Sequence, residues 1–247
     1  MAFLAVALFA AGMPAAVAGN RDECVVLLHG LGRTARSMAK LEEALQQAGF
    51  TTANVDYPSR KSDLEVLAEQ AVDEGVGRCR KQAARRIHFV THSMGGILVR
   101  LHLSRHRLAE LGRVVMLSPP NQGSEIADHL RDNGLYRWFN GPAGQQLGTG
   151  PAALPARLGP VDYPVGVITG DRPEIWDLWF SELIPGLDDG KVSVERAKVE
   201  GMRDFLVVHE SHTFIMKSPE VIRQVLHFLE KGRFCHGGAC AAPVAGR

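Results

Sequence analysis

The sequence predicts an α/β fold: a mostly parallel central sheet with helices on both faces and lid-like insertions. Three observations carry this. Short runs of β-branched and aliphatic residues alternate with longer amphipathic stretches along most of the chain. The strand-like runs are apolar throughout, as in strands covered on both faces. Two segments, 121–164 and 172–186, break the pattern with glycine, proline and scattered aromatics, and they contain all three tryptophans, Trp138, Trp176 and Trp179.

The elements follow in order. Cys24-Val25-Val26-Leu27-Leu28 is an all-apolar strand. Ser37 can cap a helix with Met38, Leu41, Leu45 and Ala48 at helical spacing and Gly49 as its stop. Residues 51–55 form a strand, 63–80 a helix and 87–90 a strand. Residues 97–105 are helical, and 114–117, 165–168 and 205–208 are further strands, with a helix expected over 194–202. The last helix starts near Pro219, a favoured first-turn residue, and puts Val221, Ile222, Val225, Leu226 and Leu229 on one face.

Length and composition narrow the classes. The 247 residues suit one domain, 19–247, behind a leader. Residues 1–18 are apolar and small, end in Ala16-Val17-Ala18 and are followed by polar residues, the form of a secretory signal peptide, although no Lys or Arg precedes the run. Export to the periplasm or medium is the expectation; the alternative is a membrane anchor, for which the run is short. Cysteines 24, 79, 235 and 240 fit an oxidising compartment, with Cys24–Cys79 and Cys235–Cys240 as the expected pairs. A zinc site is weaker, since no CxxC pair is present. The net charge of +1 gives no field for nucleic acid, and no basic stripe interleaves with aromatics.

The chemistry concentrates at Thr91-His92-Ser93-Met94-Gly95-Gly96, where an apolar strand runs into a tight turn and then a helix. This matches the nucleophile elbow G-x-S-x-G with Thr91 in place of the first glycine. The bend lifts the Ser93 hydroxyl clear of the sheet and aims free helix N–H groups at it. Residues two before and two after the serine crowd each other, which Gly95 satisfies and Thr91 tolerates.

Four segments in order resemble the α/β-hydrolase superfamily, and within it the bacterial lipases and esterases. They are the elbow, Leu27-Leu28-His29-Gly30-Leu31-Gly32, Ser118-Pro119-Pro120-Asn121-Gln122-Gly123-Ser124, and the pair Asp189-Gly190-x-Val192 with Val208-His209-Glu210-Ser211-His212. The resemblance spans about residues 24–230 and implies the α/β-hydrolase fold and a serine hydrolase of carboxylic, lipid or acyl esters.

A serine hydroxyl needs a base, and the base a carboxylate to orient it. His212 is the expected base, in a loop after the last strand; His209 competes but is read as a strand residue with a structural role. His92 adjoins the nucleophile and is read as a packed, elbow-bracing residue. For the acid, Asp189 fits the family's pattern best, with Asp171 and Asp188 as alternatives. The backbone N–H groups of Leu31 and Met94 are the expected oxyanion donors. His29 and Gly30, with Trp138 and Phe139 as a lid or acyl-chain pocket, are expected to contact substrate, and His29 to shape its loop by hydrogen bonds. No charged pocket is visible. The mechanism needs no cofactor or metal, and transient contact with a lipid surface is expected. An acyltransferase or thioesterase with the same triad, and a non-catalytic lipid-binding protein, are the rival readings.

Overall fold

The structure, a computed structural model, describes residues 22–237, without the side chains of Tyr136, Trp176, Leu178 and Phe180. Six strands make one sheet: β1 (Glu23–Leu28), β2 (Thr51–Val55), β3 (Arg86–His92), β4 (Leu111–Leu117), β5 (Val165–Gly170) and β6 (Asp204–Val208). Their order is β2-β1-β3-β4-β5-β6 and every neighbouring pair is parallel, so the sheet is parallel throughout. The main helices are α1 (Ala39–Gln47), α2 (Leu64–Lys81) and α3 (Met94–Arg105). Shorter segments follow: α4 (Glu125–His129), α5 (Gly134–Gln145), α6 (Leu154–Arg157), α7 (Leu178–Ser181) and α8 (Val194–Ala197). The described fold closes with α9 (Pro219–Lys231).

The period-two alternation of side chains divides each strand between two cores. Val26, Leu28, Phe89, Val114, Met116 and Val167 point to the side covered by α2 and α3. Val25, Leu27, Val90, Val115, Leu117 and Ile168 point to the side covered by α1 and α9. Both faces are dry, which is why the strands read as continuous apolar runs.

Several boundaries differ from expectation for local reasons. The helix after the elbow begins at Met94 rather than Ile97. The first helix opens with a 3-10 turn over Ala35–Met38. The helix expected over 194–202 stops at Ala197, because Lys198 is extended and the chain turns at Gly201 (φ +86°), whose Cα lies against the Val161 carbonyl. The last helix starts at Pro219 as read, capped by the Ser218 hydroxyl, and ends on left-handed Gly232.

Cys24 and Cys79 form a disulfide, with Cα atoms 5.7 Å apart, tying β1 to the end of α2. Such cross-links typically stabilise by about 2–4 kcal/mol. The expected Cys235–Cys240 pair falls on residue 240, outside the described residues, as does the 1–18 leader. Among the described residues no helix is long and apolar enough to cross a membrane.

Two glycines of α2 test the packing. A Cβ on Gly75 would lie 2.4 Å from a Val26 methyl, whereas one on Gly77 would meet nothing within 4 Å. Helix propensity alone favours alanine by about 1 kcal/mol at either position. Gly77→Ala should therefore raise the urea midpoint. Gly75→Ala should lower it, because forced overpacking costs about 1–3 kcal/mol; equal shifts in both variants would contradict the packing of α2 on β1.

Candidate active site

The site gathers at the carboxyl ends of the strands, where loops leave an open parallel sheet. Ser93 is the single residue between β3 and α3 and holds φ +54°, ψ −124°, a region few non-glycine residues enter. Such a conformation costs on the order of 1–3 kcal/mol and persists only where the surroundings enforce it. Those surroundings are close-packed backbone. A Cβ at Gly95 would sit 2.6 Å from the Leu28 carbonyl oxygen, and one at Gly30 would sit 2.9 Å from His92 Nδ1 and 3.0 Å from Ser93 Cβ. Thr91 fits because Gly96 faces it: a Cβ there would lie 3.3 Å from Thr91 Oγ1.

His212 Nε2 lies 3.0 Å from Ser93 Oγ, and its Nδ1 lies 2.9 Å from Asp189 Oδ2. The His212 backbone N–H donates to the Asp189 carbonyl at 2.9 Å, so main chain and side chain join the two loops. Asp189 Oδ1 accepts from the N–H groups of Lys191 (3.1 Å) and Val192 (2.9 Å). Burial by itself would raise the Asp189 pKa. The adjacent His212, together with hydrogen bonds from His212 and the Val192 backbone, outweighs it and holds the carboxyl below its usual value.

The other acids are engaged elsewhere. Asp171 lies 3.0 Å from His209 Nδ1 in a partly exposed pair, so the competing acid and the competing histidine bind each other. His209 is just past β6 and largely exposed, not the strand residue expected. Asp188 accepts from the Ser181 hydroxyl (2.8 Å) and the Gly190 N–H (2.7 Å), bracing the turn that carries Asp189.

Two buried histidines hold the frame. The His92 Nε2–H donates to the His212 carbonyl at 3.0 Å, which steadies the histidine loop. His29 is fully buried and does not line the cavity, so direct substrate contact is corrected to loop support. Its ring stacks on Tyr57 at 4.1 Å, and its Nδ1–H donates to the Gly30 carbonyl at 2.9 Å. The Tyr57 N–H approaches its Nε2 at 3.4 Å, and the Tyr57 hydroxyl donates to the His29 carbonyl. The Gly32 N–H donates to Ser59 Oγ at 3.0 Å. Leu31, between these anchored glycines, lines the cavity. Met94 is the first residue of α3, so its N–H is one of the donors left without an intrahelical partner.

A cavity of about 1000 Å³ opens on Ser93 and His212. Its walls are mainly apolar, with Ile126, Leu130, Phe139, Leu147, Trp179 and Leu183 among them. Gly30 and Phe139 line it, whereas Trp138 does not and stands 79% exposed on α5. The cavity is not free of charge, since Arg33 and Lys191 reach it and Lys191 pairs with Asp177. Gly170 is a site residue missed in the sequence: a Cβ there would collide with the Glu210 carbonyl and lie 3.0 Å from Asp189 Cβ. Its signal was a glycine at a strand end next to candidate acids.

A six-stranded parallel sheet with helices on both faces and a strained serine between strand and helix defines the α/β-hydrolase class. The chain belongs to the Alpha/beta hydrolase family, matching it over residues 25–234. No curated protein matches the sequence. Among solved structures, the chain is similar to the mature lipase BlEst2 of Bacillus licheniformis, with a TM-score of 0.64 and 19% identity over 88% of this chain and 96% of that one. It is similar to the phospholipase PlaB of Legionella pneumophila, with a TM-score of 0.65 and 19% identity over 84% of this chain and 57% of that one. The metagenomic carboxyl esterase MGS0156 gives a TM-score of 0.60 at 19% identity over 86% and 71% of the two chains.

Burial lowers the pKa of His29 and lowers that of His92 much further, with the neighbouring His212 and Arg33 adding to the effect at His92. Burial likewise depresses His88, to about 4. Each ring binds its proton more weakly in the folded than in the unfolded chain. Stability is therefore full above the unfolded histidine value of about 6.5 and declines as pH falls below it. The thermal midpoint should drop between about pH 7 and pH 5; a flat or rising midpoint would contradict neutral, buried rings.

Proposed function

We propose that this chain is a serine hydrolase that cleaves carboxylic esters carrying an apolar acyl chain. The observation that carries this is the unbroken hydrogen-bonded line from Ser93 through His212 to Asp189, opening on an apolar cavity. The lipase, phospholipase and esterase names of its structural neighbours support the same reading.

In this mechanism His212 Nε2 takes the Ser93 proton as Oγ attacks the ester carbonyl. Asp189 holds the imidazole with Nδ1–H toward itself, which leaves Nε2 free to accept, and stabilises the imidazolium that forms. The carbonyl oxygen becomes an oxyanion facing the backbone N–H groups of Met94 and Leu31. Fixed donors of this kind are worth about 10²–10³ in rate each. His212 returns the proton to the departing alcohol, leaving an acyl group on Ser93. Water, activated by the same His212, then releases the acid.

The cavity supplies the substrate class. Its apolar walls suit an acyl chain, and its size lies at the upper end for small-molecule sites. Leu135, Trp138, Phe139, Ile175 and Trp179 project apolar surface from the two irregular segments. Isolated exposed apolar residues are ordinary, whereas a cluster beside a cavity marks a contact surface. We assign it to transient contact with lipid. Export through the 1–18 leader fits the Cys24–Cys79 disulfide.

Ser93→Ala should abolish hydrolysis of p-nitrophenyl esters and labelling by a fluorophosphonate while leaving the thermal midpoint unlowered; retained turnover would end this reading. Asp189→Asn should lower kcat by about 10⁴, as loss of the orienting carboxylate does, whereas Asp171→Asn should change it little. The reverse pattern would move the acid's role to Asp171. Turnover should rise with acyl length across a p-nitrophenyl ester series, and a preference for acetate would contradict the acyl-chain assignment.

A further inference from the structure

On the sheet face covered by α2 and α3, away from the serine, three metal-ligating side chains, Glu69, His102 and His106, converge, with Asp73 beside His102. Glu69 and Asp73 are four residues apart on α2, which puts both on one helix face. His102 lies in the last turn of α3, and His106 is the extended residue that caps it, its N–H donating to the His102 carbonyl. A carboxylate oxygen of Glu69, one ring nitrogen of His102 and one of His106 all lie within 4.8 Å of one another. His106 Nε2 approaches Glu69 Oε2 at 2.9 Å, and His102 Nε2 approaches Asp73 Oδ1 at 3.0 Å. The two imidazoles pack together with ring centroids 4.6 Å apart. His102 is 5% exposed, and its Nδ1 is buried with no hydrogen-bond partner.

We propose that Glu69, His102 and His106, with Asp73 beside them, bind a divalent first-row transition-metal ion, Zn²⁺ foremost, that staples α2 to α3. Imidazole and carboxylate donors suit this class of ion, and two histidines with one carboxylate make a familiar zinc set. Ligand bonds of about 2.0–2.2 Å place tetrahedral donors about 3.4 Å apart. The three groups therefore need only a small contraction. Glu69 and His106 sit at the rim, with side chains 36% and 49% exposed, and are free to make it. Asp73 completes the set as a fourth ligand or by fixing the His102 ring, as carboxylates do for metal-bound histidines. Isolated helix-tying ion pairs would explain one histidine with one acid. What the two pairs leave over is the contact of the imidazoles with each other and the unpartnered, buried Nδ1 of His102. Arg105 Nη1, 3.8 Å from Glu69 Oε1, is the competing cation and has to turn outward.

The ion would lie outside the ester chemistry. His102 follows Ser93 by nine residues on the same helix, about 14 Å along its axis. Its effect would be to lock the far end of the helix that begins at the nucleophile.

The test uses the mature protein stripped with a chelator and titrated with Zn²⁺ by calorimetry, with the thermal midpoint followed in parallel. One Zn²⁺ per chain should bind, and the midpoint should rise with its concentration. Co²⁺ should give the visible bands of a tetrahedral N/O site. His106→Gln and Glu69→Gln, both at the rim, should each weaken Zn²⁺ binding at least about 10-fold. Both should keep the ester hydrolysis of the parent, and His212→Gln should keep the Zn²⁺ affinity. No midpoint rise with Zn²⁺, or unchanged affinity in both rim variants, would overturn the site.

Discussion

Everything at this sheet edge depends on one close approach of backbone to backbone, where Gly95 lies against the carbonyl oxygens of Leu28 and His29. Because no side chain intervenes, α3 can begin directly against the end of β1, and Ser93 is held in a bend it would not adopt alone. Gly30 repeats the device from the other side, so the loop after β1 passes directly over the serine. Two glycines, one opening α3 and one in the loop after β1, thus fix the distance between a hydroxyl and the loop above it. The histidine and the acid are then positioned by hydrogen bonds onto that rigid edge.

Much of this was legible in the sequence. The strands announced themselves because both faces of the sheet are covered, leaving Cys24–Leu28 and Val114–Leu117 uninterrupted by polar residues. Ser93 stood out through a local pattern and His212 through its loop after the last strand, while Asp189 rested on the family resemblance with Asp171 and Asp188 as alternatives; the structure brings Ser93, His212 and Asp189 together. What stayed hidden depends on through-space contact. Nothing in the sequence around Asp171 says that His209 will occupy its carboxylate, or that His29 turns inward to stack on Tyr57. Trp138 and Phe139 are adjacent and chemically alike, yet only Phe139 reaches the cavity, since neighbouring residues on a helix point in different directions.

Support around Ser93, His212 and Asp189 is layered, and each layer uses a different interaction. Asp189 is kept ionised by donors on its own turn and by the ring it orients. That turn is held by Asp188 through Ser181 and by the ion pair of Lys191 with Asp177. Ser181 and Asp177 belong to the irregular segment that also supplies Trp179 to the cavity. Asp189 is therefore tied through Asp188 and Lys191 to the segment that forms part of the cavity wall.

The all-parallel strand order carries a consequence for synthesis. Neighbouring parallel strands can be joined only by long crossovers, so no hairpin-like partial product contains two adjacent strands and little else. Ser93, Asp189 and His212 are spread over the carboxyl ends of strands that assemble along the whole chain. A nascent polypeptide still on the ribosome lacks the imidazole until its last strand has emerged. Ser93, Asp189 and His212 therefore come together only when translation is nearly finished.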